Sequence, residues 1–496
     1  MQRPRLLFSV MALLGVAMAS APPLAAQGTG TLDKINHVIV IYQENWSFDS
    51  LYGLFPGANG LANAGAAVKQ VDASGKPYTT LPQPLNSTLT PPGPDPRFPS
   101  NLPVQPFRIA PYVPADQKTG DLVQRFYQEQ TQIDGGKMDQ FVAYGGSGGL
   151  PLGYYDATSL PEGVLAGQYT LDDNFFHAAY GSSFLNHMWL ICACSPVWHS
   201  APAADIAKVD PHGNLLKDGL VTPDGYAVNT VFSVNQPHPA NSTDPAQLLP
   251  QQTMPTIGDR LSQKGISWAW YSGGWDNALA GRPDKLFQFN HQPFIYFKNY
   301  ADGTAAKAKH LKDEQDFLSA LKSTGSSGLP AISYIKPIGE DNEHPGYASL
   351  LQGQEHVGAL VKAIQNSRYW SDSLIIITYD ENGGFWDHVA PPKGDRWGPG
   401  TRVPAIIVSP YARRGFVDHT PYDTTSILKL IETRWQLQPL GTRDAAANDM
   451  TNALLPSGPS AGDVIRTILI VLVVTAGVAV VVWRGYPWIR ARFPRS

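Results

Sequence analysis

The chain has 496 residues, of which 16% are charged, and its formal net charge is −4 at pH 7. This composition contains no basic stripe of the kind that nucleic-acid-binding proteins carry, so we expect no nucleic-acid partner. Without its two terminal segments the chain keeps roughly 420 residues, enough for one elaborated domain or two ordinary ones.

The N-terminus has the pattern of a secretory signal peptide. Arg3 and Arg5 form a basic start, residues 6–19 an apolar stretch, and residues 24–26 a run of small residues typical of a cleavage site. We therefore predict a signal peptide over residues 1–26, with an uncleaved membrane helix as the alternative.

The first strand signal is the β-branched run at residues 37–42. Short runs of this kind are typical of buried parallel strands, and open α/β sheets bind ligands beyond the carboxyl ends of such strands. Glu44 and Asn45 follow this run directly, which places two oxygen-bearing side chains at the predicted ligand edge.

Two long stretches interrupt the strand and helix pattern. Residues 56–115 are rich in Pro, Gly and Asn, and residues 200–255 resemble them. Insertions of this length in a compact domain are usually functional, so we expect covers over a site. The chain shows no internal repeat and is expected to form one domain with insertions.

A serine-rich turn precedes a predicted helix at residues 184–191. Ser183 would lie at the N-terminus of that helix, where free N–H groups and the helix dipole favour an anion. The alternative is an ordinary helix-capping serine. Cys192 and Cys194 are the two cysteines of the chain. They lack a third metal ligand nearby and are interpreted as structural, with pairing left open.

The second acidic turn lies far downstream, where Asp380 and Glu381 follow the apolar run 374–379. Carboxylate and amide oxygens brought to one sheet edge from distant strands suit a hard or borderline divalent cation. The two turns together predict metal-assisted chemistry on an anionic substrate.

The strand and helix signals together predict an α/β fold. It has a mostly parallel central sheet flanked by helices on both sides, with long loop insertions and one C-terminal transmembrane helix. Helices are predicted at 349–366 and 425–435. The predicted strands are 37–42, 266–271, 331–335, 374–379 and 405–409.

The C-terminus contains a second apolar segment, residues 467–483, which carries no charged residue. It is just long enough to span a bilayer, and the arginines that follow it favour a cytoplasmic tail. We predict a catalytic domain at 27–450 held outside the cytoplasm by a single-pass membrane anchor. The remaining predicted segments are a linker at 451–463, a transmembrane helix at 464–484 and a basic cytoplasmic tail at 485–496.

Five motifs, in this order, resemble those of one known family. It is the bacterial phosphoesterase family that holds secreted acid phosphatases and phosphatidylcholine-type phospholipases C, within the alkaline-phosphatase-like superfamily. The resemblance covers residues 34–437. The motifs are Glu44-Asn-x-Ser-Phe-Asp49, Gly181-x-Ser183-x-x-Asn186, Glu343-His344-Pro345, Asp380-Glu381-x-Gly-Gly384 and Asp387-His388-Val389.

The resemblance implies roles for individual residues. Ser183 would be the nucleophile and become transiently phosphorylated, with His344 and His388 around the phosphoryl group. Asn186 and His291 would contact the substrate. One divalent metal ion, of a kind that the sequence does not identify, is expected on Glu44, Asn45, Asp380, Glu381 and Ser183.

One position departs from the family pattern. Where the family usually has arginine after Glu-Asn, this chain has Trp46. Tryptophan cannot form the ion pair of arginine, so either metal affinity differs here or the position serves packing. Packing is the interpretation that we favour, because Glu44 and Asn45 are intact.

Acid phosphatase activity on phosphomonoesters, through a phosphoserine intermediate, is the first functional expectation. The alternative is a phospholipase C that cleaves phosphodiesters, and a third reading is an inactive envelope binding protein. The first is preferred because many family phospholipases carry a long extra C-terminal region and because an anchored enzyme suits phosphate scavenging. The oligomeric state stays open.

Overall fold

The structure is a computed structural model that describes residues 29–87 and 89–456. The chain divides into two compact units, one of which is Leu32–Leu454. The other unit combines residues 1–31 with 455–496, and nearly all of it lies outside the described residues. The predicted signal peptide, the anchor and the basic tail therefore cannot be placed.

An eight-stranded sheet forms the centre of the Leu32–Leu454 unit, with strand order β4-β3-β5-β1-β6-β7-β2-β8. Its strands are β1 (His37–Gln43), β2 (Thr170–Asp172), β3 (Trp268–Ser272), β4 (Leu311–Asp313), β5 (Ile332–Lys336), β6 (Ser373–Tyr379), β7 (Ala405–Val408) and β8 (Phe416–Asp418).

The mostly parallel sheet predicted from the sequence is confirmed. Of these strands only β7 runs antiparallel to its neighbours, β6 and β2. The central strand β1 pairs in parallel with β5 on one side and with β6 on the other. Every residue of β3, β5, β6 and β7 is buried, as expected for strands covered on both faces.

Helices cover the sheet, and the two helices predicted from periodicity are present. They are α11, whose predicted apolar face is buried, and α12, on which Trp435 is only half-buried. The helices are α1 (Thr29–Leu32), α2 (Phe48–Tyr52), α3 (Phe126–Ile133), α4 (Phe141–Tyr144), α5 (Pro161–Gln168), α6 (Ser183–Cys192), α7 (Ile257–Gln263), α8 (Trp275–Leu279), α9 (Ala305–His310), α10 (Glu314–Ala320), α11 (Leu350–Gln365), α12 (Thr424–Trp435) and α13 (Thr442–Ala446).

The two long insertions contain turns and very short strands. In the first, Leu85–Asn86 pairs with Gly93–Pro94, and in the second, Lys208–Val209 pairs with Leu215–Lys217. The two cysteines, Cys192 and Cys194, form a disulfide at the end of α6.

The predicted fold class was wrong in including a transmembrane helix. Within residues 29–87 and 89–456, every helix falls short of the length and apolarity that crossing a membrane requires. The segment 464–484, on which the prediction depended, lies outside the described residues. Membrane attachment through a C-terminal helix is accordingly dropped from the account.

Candidate functional site

The site lies at the carboxyl edge of the three central strands β1, β5 and β6. Because neighbouring parallel strands end at the same edge, Glu44 and Asn45 after β1 meet Asp380 and Glu381 after β6. Asn45 has a φ of 68°, a conformation that asparagine tolerates. Gly383 packs against Asn45 so closely that a Cβ at this glycine would lie 2.0 Å from the Asn45 carbonyl oxygen.

Ser183 is the first residue of the ten-residue helix α6, with Ser182 as its N-cap. Its Oγ–H donates to Glu44 Oε2 at 3.2 Å, and its Oγ lies 3.5 Å from Asn45 Oδ1. At this position the serine oxygen is surrounded by the free N–H groups and the positive dipole end of the helix. Ser183 is 8% exposed, so it is accessible from the entrance of the site.

Three fully buried acids, Glu44, Asp380 and Glu381, form what we call the carboxylate cage. Asp380 Oδ1 accepts hydrogen bonds from the N–H groups of Asn45 and Glu381, at 3.2 and 2.8 Å. Asp380 Oδ2 receives no hydrogen bond from any residue that the structure describes. Burial, followed by the nearby Glu44, raises the pKa of Asp380 well above its ordinary value, and burial and Asp380 do the same to the pKa of Glu381.

The side-chain amide of Asn45 lies between two carboxylates of the cage. The side-chain oxygen of Asn45 lies 3.1 Å from Glu44 Oε2 and 3.2 Å from Glu381 Oε1. Two changes relieve this repulsion: the amide turned around so that it donates to both carboxylates, or a cation between the oxygens. An all-oxygen donor set beside an Asp380 oxygen that accepts no hydrogen bond from the described residues fits a hard or borderline divalent ion.

Basic side chains line the other wall of the site. His291 Nε2 lies 2.9 Å from Glu44 Oε1, and the ammonium of Lys336 forms an ion pair with the same oxygen. Burial by itself raises the pKa of Glu44, but His291 and Lys336 outweigh it and hold that pKa well below its ordinary value. His291 thus lies where it was predicted, in the site.

His187 is one helical turn after Ser183 and also faces the cage. Its Nδ1 bonds the Ser183 carbonyl oxygen at 2.7 Å, and its ring stacks on His291 with centroids 5.1 Å apart. Burial and then Lys336 lower the pKa of His187 well below its ordinary value. One nitrogen each of His187 and His291 and one oxygen of Glu44 lie within 4.8 Å of one another, a second possible metal-binding group.

His344 lies at the entrance, on the segment that links β5 to α11. Its Nδ1 contacts the Pro345 carbonyl oxygen at 2.6 Å, which places a proton on Nδ1. Nε2 points into the site, 3.0 Å from the side-chain amide of Asn45 and 4.0 Å from Glu44 Oε2. Like Ser183, His344 is 8% exposed, so the two groups share the accessible side of the site.

His388 lies in a different cluster, although the sequence analysis grouped it with His344. Its Nδ1 bonds Asp49 Oδ2 at 2.6 Å, and its Nε2 lies 3.3 Å from Asn59 Oδ1. The buried Arg402 donates to Asp387 at 2.9 Å and to Asp49 at 3.2 Å. We call Asp49, Asp387, His388 and Arg402 the Arg402 cluster.

Asn186, predicted to contact the substrate, is fully buried and holds the loop before Ser183. Its amide accepts from Ala179 N at 2.9 Å and donates to Ala179 O at 2.8 Å. His177 also stabilises this loop, because its Nε2 hydrogen-bonds Glu129 Oε1 at 2.9 Å. Glu129 also accepts from Gly181 N, so a buried carboxylate fixes the turn that leads to the nucleophile.

Trp46 is a packing residue, as the sequence analysis favoured. It is 1% exposed, its ring stacks on Phe385 with centroids 4.4 Å apart, and its indole N–H donates to the Glu343 carbonyl oxygen at 3.0 Å. Glu343 is itself buried beside Glu162, and the Tyr379 hydroxyl lies 2.7 and 3.0 Å from their carboxyl groups. Burial raises the pKa of Glu343 to about 7, against the hydrogen bond from Tyr379.

Sequence reasoning missed Lys336, Glu129 and the position of His187. Lys336 directly follows the predicted strand 331–335, at a position where a lone lysine normally points to solvent. His187 follows Ser183 by four residues, the spacing of one helix face, and that spacing was the available signal. Glu129 lies 54 residues before the nucleophile, in a segment for which the sequence analysis predicted no element.

Comparison with known proteins gives consistent results. The Phosphoesterase family model matches residues 35–438. Phospholipase C B of Mycobacterium tuberculosis is 25% identical over 494 residues, covering 90% of this chain and 84% of that protein. Non-hemolytic phospholipase C of Pseudomonas aeruginosa is 24% identical over 469 residues, covering 87% of this chain and 58% of that protein.

Among solved structures, a protein in the alkaline phosphatase superfamily from Vibrio parahaemolyticus matches with a TM-score of 0.33 and 9% sequence identity. That match covers 70% of this chain and 74% of the other.

Proposed function

The chain belongs to the Phosphoesterase family, which makes it a phosphoric ester hydrolase, and on this basis we propose that it is a phospholipase C. It cleaves the phosphodiester of a phospholipid between phosphorus and the glycerol oxygen. The observation that carries the proposal is the similarity of about nine tenths of this chain to curated phospholipases C, joined to a serine, carboxylate and histidine site at one sheet edge.

Ser183 is the nucleophile in this proposal. Its Oγ attacks phosphorus and forms a new P–O bond, while its proton passes to Glu44 Oε2, which the hydroxyl already contacts at 3.2 Å. The bond from phosphorus to the glycerol oxygen breaks, and the phosphorylated head group stays on Ser183. Water then attacks phosphorus, the P–Oγ bond breaks, Glu44 Oε2 returns its proton to the departing Ser183 Oγ, and the phosphorylated head group is released.

His344 protonates the leaving oxygen. Its Nε2 faces the site from the accessible side, and its Nδ1 is fixed by the Pro345 carbonyl group, so the ring presents one defined nitrogen. In its protonated form it gives a proton to the glycerol oxygen and recovers one from the attacking water, which balances both steps. His388, the other predicted catalytic histidine, contacts the Arg402 cluster and has no step in this scheme.

One divalent ion fits the oxygens of Glu44, Asn45, Asp380 and Glu381 beside Ser183 Oγ. When bound, it would lower the pKa of the serine hydroxyl and neutralise charge on the phosphoryl oxygens. The residues around it have separate tasks. The N-terminus of α6 orients the anionic phosphoryl group, and Glu129 and Asn186 hold the preceding loop in place.

The diester is preferred here over the monoester that the sequence analysis put first. That preference depended on the long C-terminal region of many family phospholipases. Phospholipase C B of Mycobacterium tuberculosis, however, is matched over 84% of its own length, so such a region does not separate the two activities. The curated relatives reported above are phospholipases C, which favours the diester.

The test compares two aryl substrates with the purified full-length chain and added divalent metal. We expect kcat/KM for an aryl phosphocholine diester to exceed that for the aryl phosphomonoester by about tenfold or more, a margin of about 1.4 kcal/mol in transition-state binding. Phosphatidylcholine vesicles should also release phosphocholine. The Ser183→Ala variant is the background control. A preference for the monoester would contradict the proposal and support acid phosphatase activity instead.

A further inference from the structure

Lys336 is the last residue of β5, and its side chain is fully buried. The Lys336 side chain passes over the Tyr42 ring, with Nζ 5.1 Å from the ring centroid. Nζ donates to the Gln43 carbonyl oxygen at 3.3 Å, forms an ion pair with Glu44 Oε1 and lies 3.7 Å from Asp380 Oδ2. A lysine is almost never fully buried unless it is paired, so these contacts account for its position.

The charges at this point of the molecule do not balance without a further cation. The three carboxylates of the cage face one fixed ammonium group, that of Lys336, which pairs with Glu44 and lies 3.7 Å from Asp380 Oδ2. The excess is two negative charges. One divalent ion would balance them, whereas without Lys336 the loaded cage would stay negative next to an anionic phosphoester.

We propose that Lys336 is a positioning residue that holds Glu44 and Asp380 in place and supplies the charge that makes the metal-loaded cage neutral. This inference rests on the proposed function, since it concerns the same site. Lys336 lowers the affinity of the cage for the metal ion, because its ammonium group repels the ion. Its positive charge also stabilises the metal-free cage and reduces the repulsion between the carboxylates and the substrate phosphate.

The test measures Mn²⁺ binding to the chelator-treated full-length protein by calorimetry, in the wild type and in Lys336→Met. We expect the variant to bind Mn²⁺ about tenfold more tightly or better, and its metal-free form to melt at a lower temperature. Its KM for the phosphocholine diester should rise more than its kcat falls. Lys336→Arg, which keeps the charge, should restore both values, and Lys312→Met on β4, two strands away in the same sheet, is the matched control.

Unchanged or weaker Mn²⁺ binding in Lys336→Met would overturn the inference, as would a wild type that binds no Mn²⁺. If the variant folds only with Mn²⁺ present, the inference is supported. If it fails to fold in either state, Lys336→Met with Asp380→Asn decides: recovered folding supports the charge role and persistent unfolding overturns it. Mn²⁺ binding needs no substrate, so an absence of diester turnover would reject the proposed function and leave this inference standing.

Discussion

The carboxylate cage and the Arg402 cluster are built from the same two turns of the chain, yet they differ in how their charges are satisfied. In the Arg402 cluster every oxygen of Asp49 and Asp387 accepts a hydrogen bond. In the cage, Asp380 Oδ2 accepts no hydrogen bond from the described residues.

This difference separates a structural cluster from a reactive one. Buried polar groups are normally fully hydrogen-bonded, and a cluster that is complete in itself has no need of a ligand. A buried cluster with unsatisfied oxygens is stable only if a proton or a cation completes it. We therefore assign chemistry to the cage and folding stability to the Arg402 cluster, and the following variants test that division.

The largest effect is expected at Ser183. Ser183→Ala removes the only hydroxyl that contacts the cage among the described residues, so kcat for the diester should fall on the order of 10⁴-fold. Mn²⁺ content measured by mass spectrometry should stay close to that of the wild type. Ser182→Ala is the matched control, because its hydroxyl has a single weak contact, 3.4 Å to the Val228 carbonyl oxygen. Equal losses in the two variants would contradict the nucleophile assignment.

Stability should respond in opposite directions in the two clusters. Arg402→Met leaves Asp49 and Asp387 buried without their cation and should lower the free energy of unfolding by about 3–5 kcal/mol. Asp380→Asn removes a carboxylate whose pKa is raised, so the metal-free protein should become more stable at pH 8, by about 1 kcal/mol, while Mn²⁺ binding is lost. Chemical denaturation of chelated protein measures both. A lower free energy of unfolding in Asp380→Asn would contradict the distinction between the carboxylate cage and the Arg402 cluster.

The two histidines provide a test in activity. His344→Asn should lower kcat on the order of 10²-fold, because it removes the group that protonates the leaving oxygen. An aryl diester with a better leaving group should suffer less. His388→Asn should lower kcat by less than about tenfold and should mainly lower the melting temperature, since the His388 ring contacts Asp49 and Asn59. A larger loss at His388 would support the role predicted from the sequence.

The smallest effect concerns pH. The pKa of Glu343 is raised by burial to about 7 in the folded protein, above its ordinary value of 4.5. Its contribution to stability is therefore fully present below pH 4.5 and is lost as the pH rises through 7, a fall of about 1–3 kcal/mol. Glu343→Gln should flatten this fall in denaturation curves recorded from pH 4 to 8. Glu355→Gln, at an exposed position, should leave the dependence of stability on pH as it is in the wild type. If Glu343→Gln also left it unchanged, the raised pKa of Glu343 would be contradicted.

Much of the central sheet could be predicted because β-branched runs mark buried strands. Residues 37–42 and 374–379 correspond to β1 and β6, and their turns supply four of the five predicted metal ligands. The strands β2, β4 and β8 have three residues each and show no periodic pattern. Strands this short depend on their neighbours, which the sequence does not show.

The positions of His388 and Lys336 could not be predicted from the sequence, for a common physical reason. His388 follows Asp380 by eight residues, but Gly383 and Gly384 adopt φ values of 64° and 73°, and the segment beyond them contributes to the Arg402 cluster. Lys336 was missed because its burial depends on Glu44 and Asp380, which are distant in sequence. Motif order identifies the segments of a site, whereas side-chain directions require the fold.

The most direct test of the account is the position of a bound metal. Crystals soaked in Mn²⁺ should show one anomalous peak within about 2–2.6 Å of oxygens from the cage ligands Glu44, Asn45, Asp380 and Glu381. The Arg402 cluster, with Asp49, Asp387 and His388 as its possible ligands, should show none. A peak in the Arg402 cluster, or a cage that stays empty in active enzyme, would contradict the assignment of chemistry to the cage.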